Sequence, residues 1–296
     1  MLTHIAGITL PIYVLVAVGF FYSQRFKPDL NGSNKLVVDV ALPVLIFTSL
    51  SAKSFDPIAA LTFTGASVAL ILVSGLLAWP LVKWSGSSRQ AFLPCAMFTN
   101  VGPVGIPLIV LAYGPSGMPT AVVLLVISNI LHFTLGNSLM SGRIHWRMLY
   151  ANHLVWATAL GVCSSQLNWT FPDWLHTSLN LIGSVLVPMM LLSLGSRLAE
   201  SRVTDAWVGV RATVLIAGVR LAAAYLILRV LPLQGVERGS LILFACMPAA
   251  VFNFMLADRF NVQPHRVASM VVVGHFLGMV LLPLGLMLAL NATALR

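Results

Sequence analysis

Charge is scarce in this sequence, and acid is scarcer still. Only 8% of its 296 residues are Asp, Glu, Lys or Arg, against about 25% in soluble globular domains. Eight are acidic and 17 basic, for a net charge of +9. So few charges exclude a water-solvated globular surface. The basic residues stand singly in short connections without interleaved stacking aromatics, which excludes a nucleic-acid patch. Three cysteines, Cys95, Cys163 and Cys246, lie in apolar runs without metal-ligand spacing, so they read as small buried hydrophobes and no metal or cofactor is expected. No nucleophile elbow, HExxH helix or Walker loop occurs. Gly102-Pro103-Val104-Gly105 follows no strand and is not a nucleotide fingerprint. Catalysis is not expected. Neither is an ATP-driven pump, because no stretch reads as a soluble ATP-binding domain.

What is abundant is apolar sequence: 58% of the chain, much of it in runs near the ~20 residues that span a bilayer as helix. Hydropathy predicts an all-α polytopic membrane protein of ten spans near 5–23, 35–51, 57–81, 91–112, 117–139, 149–167, 176–196, 206–230, 239–258 and 265–289. One membrane domain then accounts for residues 1–296. Residues 1–22 carry no leading positive charge, and Arg25 and Lys27 follow the apolar run, which reads as a retained first span. Loops after the odd-numbered spans hold eleven Lys and Arg residues, from Arg25 and Lys27 to Arg259 and Arg266. The opposite side holds Lys53, Arg229, Arg238 and Arg296. This bias places the odd loops in the cytoplasm and both termini outside it.

The prolines reveal a repeat. Pro43 and Pro188, Pro103 and Pro248, and Pro119 and Pro264 are each 145 residues apart. Gly19, Ser23 and Gln24 recur as Gly161, Ser165 and Gln166. Five spans per half, in repeats 1–142 and 143–296, make the second half enter the membrane from the opposite side. This 5+5 inverted repeat is an architecture of secondary transporters, with the site at the repeat interface. The stretch Asn100-Val101-Gly102-Pro103-Val104-Gly105-Ile106-Pro107 cannot be unbroken helix. Irregular backbone at membrane depth survives only against protein or a water-filled cavity. The repeat places the second break at Met247-Pro248 through Asn253, so spans 4 and 9 are the predicted discontinuous helices.

These breaks supply the candidate site. Asn100, Gly102, Gly105 and Pro107 with Met247, Pro248 and Asn253 offer side chains and half-helix ends suited to an anion. A packed structural kink is the plainer reading of the first stretch, and an interhelical hydrogen bond that of Asn253. Arg220 lies deep in span 8, where a charge must face protein or water. It reads either as attraction for an anionic substrate or as a partner for backbone carbonyls. Asp39 is a candidate coupling-ion residue, with an ion pair to Lys35 as the alternative. His132 and His275 are candidate proton relays or structural hydrogen-bonding residues. Ser128 and Asn129 share a helix with His132 and are candidate cavity residues.

Asn100 through Pro107, followed by Ala112-Tyr113-Gly114, resembles the fourth-span motif of the auxin efflux carrier family. That family includes plant PIN-FORMED carriers and bacterial malonate or malate carriers. Met247 through Ala257 resembles its ninth span, and Leu194 through Ala199 the end of its seventh. The resemblance covers the whole chain; Pro103 is additional to the usual pattern. It implies a scaffold of spans 1, 2, 6 and 7, a transport bundle of spans 3–5 and 8–10 with spans 4 and 9 crossing at their breaks, small carboxylate substrates and a homodimer. The expected activity is secondary transport of a small organic carboxylate across a bacterial inner membrane by elevator-type alternating access. A malonate- or malate-like dicarboxylate is favoured, with H⁺ or Na⁺ as coupling ion. The alternatives are export of an auxin-like aromatic monocarboxylate, a receptor that binds a carboxylate without moving it, and a channel.

Overall fold

The computed structural model describes residues 2–51, 60–142, 153–200 and 203–294, whose regular structure is all helical. Among them the one strand-like feature is a single antiparallel bridge between Thr99 and Ala249. In chain order the helices are α1 (Leu2–Phe26), α2 (Asn31–Leu50), α3 (Ala60–Ser85), α4 (Arg89–Met97), α5 (Ile106–Tyr113), α6 (117–141), α7 (His153–Gln166), α8 (Asp173–Glu200), α9 (Ala206–Val230), α10 (Gly235–Cys246), α11 (Val251–Arg259) and α12 (Pro264–Ala294). Helix is what an apolar chain adopts without water, because it satisfies backbone groups within each segment.

Seven stretches of the described residues are long and apolar enough to cross a membrane, where hydropathy predicts ten spans. The difference has three sources. Predicted spans 4 and 9 are each split into short pieces, α4 with α5 and α10 with α11, and α5 runs on into α6 as one apolar stretch. The described part of α7 has 14 residues. The starts of predicted spans 3 and 6 lie outside the described residues, as do Lys53, Arg143, Arg147, Arg202 and Arg296 of the charge count.

Apolar side chains cover the outside. Phe21, Leu76 and Val230 are among the large hydrophobics most exposed to the surroundings, an arrangement that suits lipid. Trp84, Trp169, Trp174 and Trp207 stand exposed at or next to helix ends, where amphipathic rings meet the headgroups. Several helix pairs approach to backbone contact. A Cβ on Gly19 of α1 would lie 2.1 Å from the Leu192 carbonyl of α8, and one on Gly195 would lie 2.0 Å from the Val16 carbonyl. Gly161 of α7 lies against Phe47 and Leu50 of α2 in the same way. Small residues at such crossings let backbones pack where no hydrophobic force drives association. The most extensive packing joins α1 with α8 and α2 with α7 and α8 on one hand, and α3, α9, α10 and α12 on the other.

Two helices are distorted just before a proline. In α2 a wide π turn at Val37–Ala41 precedes Pro43, and in α8 the helix is offset at Val185 before Pro188. Such local adjustments re-satisfy the backbone groups that proline frees.

Candidate functional site

Two interrupted helices meet at the centre of the candidate site. After α4 the chain is extended at Phe98 (φ −108°, ψ 122°), passes through Thr99 and Asn100, and resumes helix through a π turn at Val101–Gly105 that leads into α5. After α10 it is extended at Met247 and Ala250 before α11 begins at Val251. The extended pieces pair antiparallel. The Asn100 amide donates to the Pro248 carbonyl at 2.9 Å, and the Ala250 amide donates to the Phe98 carbonyl at 3.0 Å. Each break thus satisfies backbone groups that the other exposes, as burial requires.

The irregular backbone begins at Phe98, two residues before the Asn100–Pro107 stretch singled out by composition, and extends through the π turn at Val101–Gly105. Gly105 and Pro107 are already helical and buried. Pro103 stands in the first turn of the resumed helix, where its missing N–H costs nothing. The 145-residue proline offset also fails to relate the two breaks. The bridge pairs residue 99 with residue 249, and helix resumes at 101 and 251, an offset of 150. Pro248 therefore precedes the second bridge residue, whereas Pro103 follows the first.

Arg220 of α9 sits behind this junction with 2% of its surface exposed. Its Nε donates to the Ala96 carbonyl at 2.7 Å and its Nη1 to the Met247 carbonyl at 2.6 Å. Its Nη2 donates to the carbonyls of Cys95 at 2.5 Å and Phe98 at 3.2 Å. The guanidinium caps the C-terminal ends of α4 and α10 together, where unsatisfied carbonyls and the helix dipoles present negative charge. The carbonyl-partner reading of Arg220 describes its contacts, and the arginine does not line the central cavity described below.

Two Asn–His pairs cross between the halves of the chain. His275 Nδ1 lies 2.7 Å from the Val271 carbonyl, which can only accept, so this nitrogen carries the proton and Nε2 accepts from Asn100 Nδ2 at 2.8 Å. His132 Nε2 lies 2.8 Å from Asn253 Oδ1 and donates to it, while Asn253 Nδ2 turns to the Phe98 carbonyl at 3.4 Å. Phe98 stacks on the His132 ring at 4.2 Å, and Phe252 meets its edge at 5.0 Å. Asn253 is fully buried and engaged in this lattice. The interhelical hydrogen bond describes it.

In front of the junction lies a cavity of about 230 Å³. Thr99, Asn100, Gly102 and Pro103 line it from the first break, and Ala250, Val251 and Phe252 from the second. Ser128, Asn129 and His132 contribute from α6, and Met190, Ser193 and Arg197 from α8. Both resumed half-helices therefore present their N-terminal ends to one space. The amides of Gly102, Val251 and Phe252 have no acceptor among the described residues. Thr99 Oγ1 is buried without a hydrogen-bond partner. Oriented amides and a free hydroxyl are what an anionic oxygen requires.

Of the candidate residues, the structure brings Asn100, Gly102, Ser128, Asn129 and His132 to this cavity. Pro248 and His275 hold Asn100 from behind, and Met247 fills the space beside Gly105, where a Cβ would lie 2.9 Å from its sulfur. Asp39 is elsewhere. It is 45% exposed, 3.9 Å from His153 Nε2 and, among the described residues, in no ion pair with Lys35. It lies within the π turn, whose extra residue breaks the i,i+4 register that would pair it with Lys35. Thr99 and Arg197 were not among the candidates. Thr99 adjoins Asn100, but a threonine in an apolar helix ordinarily bonds its own backbone, as Thr134 does to the Ile130 carbonyl at 2.7 Å.

Comparison with known proteins adds the family. The pattern of the membrane transport protein family matches residues 4–145 and 139–286. An uncharacterized transporter of Methanothermobacter thermautotrophicus is 27% identical over 93% of this chain and 95% of its own length. One from Methanocaldococcus jannaschii is 22% identical over 90% and 92%. Auxin efflux carrier component 8 of Arabidopsis thaliana is 19% identical over 92% and 93%. With its two interrupted helices and apolar exterior, the chain belongs to the membrane transport protein family, that of the auxin efflux carriers, and is a multi-pass membrane transporter.

Proposed function

We infer that the chain is a secondary active transporter of small organic carboxylates, with malonate- or malate-like dicarboxylates as the favoured class. One observation carries this: the N-terminal ends of two interrupted helices open on a single cavity that Thr99 and Asn100 line, the Thr99 hydroxyl being buried without a partner. Its volume of about 230 Å³ falls below the roughly 300–1,000 Å³ of sites for drug-sized ligands. A small acid suits it better than an aromatic one. Asn100, held in one orientation by His275, contacts the substrate together with Thr99 and the amides of Gly102, Val251 and Phe252.

The proposal includes ten spans in a 5+5 inverted repeat, with spans 4 and 9 crossing at their breaks. Related features in the two halves support it: Gly19 against Leu192 and Gly161 against Phe47, distortions before Pro43 and Pro188, and the reciprocal Asn–His pairs. The scaffold is spans 1, 2, 6 and 7. The moving bundle is spans 3–5 and 8–10, and it carries the site past the scaffold in an elevator motion. The inner membrane of a bacterium, termini outside the cytoplasm, a homodimer, and H⁺ or Na⁺ as driving ion complete the reading. A second cavity of about 580 Å³, lined by Asp29, Glu200, Asp258 and His265 at the odd-loop ends of the helices, adjoins the first. In this orientation the site opens to the cytoplasm.

The test is counterflow in proteoliposomes. Labelled malonate enters vesicles preloaded with malonate, and unlabelled malonate competes better than indole-3-acetate, with and without sodium and a pH gradient. Better competition by indole-3-acetate favours export of an auxin-like aromatic monocarboxylate. Binding without counterflow makes the protein a receptor, and flux that does not saturate makes it a channel.

A further inference from the structure

The cavity needs a cation if its ligand carries two negative charges, and Arg220 is committed to carbonyls. Among the described lining residues of the inner cavity one side chain carries a full charge: Arg197. It lies on α8 in register with Ser193 and Met190, four and seven residues before it, so one face of that helix looks into the cavity. Arg197 also lines the outer cavity, and it shares both chambers with Asn34, Ser193, Leu194, Val251 and Met255. These residues form the neck between the two. The guanidinium reaches across that neck, its Nη1 3.7 Å from the Met255 sulfur on α11.

The geometry points to Arg197 as the residue that selects for a second carboxylate. This rests on the proposed carboxylate transport and adds what decides the substrate's charge. One carboxylate sits at the paired half-helix ends beside Thr99 and Asn100, and the other extends toward the neck and the guanidinium. A monocarboxylate fills only the first position. The carboxylates of Asp29, Glu200 and Asp258 line the outer cavity alone. Guanidinium is suited to this task because its planar fork matches a carboxylate.

The experiment compares malonate with lactate, a monocarboxylate of similar size, in proteoliposomes bearing wild type, Arg197→Gln or Arg197→Lys. Loss of one charge-assisted hydrogen-bonding partner raises the KM for malonate roughly ten- to a hundredfold in Arg197→Gln. The KM for lactate stays unchanged, and Arg197→Lys recovers part of the malonate preference. Equal effects on both acids, or none on either, overturn the assignment while leaving carboxylate transport standing. A wild type that moves neither acid refutes the transport reading instead. A second measurement needs no variant. An arginine-directed dicarbonyl is applied to wild type, and Arg197 labelling is read by mass spectrometry. Malonate protects Arg197 where lactate does not; equal protection by both, or none, rejects the proposal.

Discussion

Replacing Arg220 with glutamine tests whether this arginine builds the site or binds in it. Four guanidinium hydrogen bonds of 2.5–3.2 Å hold the carbonyls of Cys95, Ala96, Phe98 and Met247. The Phe98 carbonyl keeps the Ala250 amide as a donor, and glutamine, with one amide and a shorter reach, serves one of the other three, leaving two carbonyls without a donor. Each unsatisfied buried acceptor costs about 1–3 kcal/mol, so the loss is about 2–6 kcal/mol, short of strict additivity because the four share one pocket. That is a large part of the ~5–15 kcal/mol that holds a typical domain folded. Arg220→Gln therefore lowers both the amount of folded protein in the membrane and its thermal midpoint in detergent. Whatever protein survives transports malonate and lactate with equal loss. Arg220→Lys retains the charge and is milder. A glutamine variant of wild-type stability that loses malonate transport alone would refute this account and return Arg220 to the substrate.

Three more outcomes are expected. Thr99→Val preserves shape and removes a hydroxyl that has no protein partner, so thermal stability holds or rises, while the KM for transported acid rises about two- to tenfold, the value of one neutral hydrogen bond; an unchanged KM removes Thr99 from the site. Gly195→Ala forces a methyl to 2.0 Å from the Val16 carbonyl and destabilises by about 1–3 kcal/mol or more through overpacking, whereas Gly7→Ala, with nothing within 4 Å, is neutral in the same melting assay. Asp39→Asn leaves uptake and its dependence on sodium and pH as in wild type, since the carboxylate lies outside both cavities; a lost ion dependence would restore it to the coupling machinery.

The legible parts of this protein were those written in composition. Too few charges and too many apolar runs identify a membrane chain. Pro and Gly within spans 4 and 9 identify where helix fails. Less legible was where the backbone leaves the helix, because Pro103 and Pro107 are tolerated in the opening turns of a helix as readily as they end one. The non-helical residues Phe98 and Thr99, just before the Asn100–Pro107 stretch, carry no such mark. The π turn at Val37–Ala41 is equally silent, and it alone removes Asp39 from the register in which Lys35 is its neighbour. Arg220 admitted two readings because a buried guanidinium needs acceptors, and sequence does not say whether those belong to a ligand or to a helix end. Thr99 and Arg197 went unnoticed for opposite reasons. The first resembles any self-bonded threonine in a span, and the second resembles any cytoplasmic anchor.

The bonds at the junction also bear on how such a carrier moves. The bridge joins residues 98–100 to 248–250. Arg220, from the second half, grips carbonyls of both breaks, and each Asn–His pair takes one member from each half. A rocking motion of one repeat against the other would pull these partners apart and expose several buried polar groups at once, a cost of several kcal/mol. A motion that keeps α4, α5, α6, α9, α10, α11 and α12 together breaks none of these bonds. It slides the junction past α1 and α8, where the contact with the first break includes Met190 against Gly102 at ordinary van der Waals distance for a Cβ, 3.4 Å. The polar bonding thus lies within one bundle, and the softer apolar contact lies at its boundary. This asymmetry supports the proposed displacement of the whole site over opening within it, a motion in which Arg197, on α8, would belong to the stationary side.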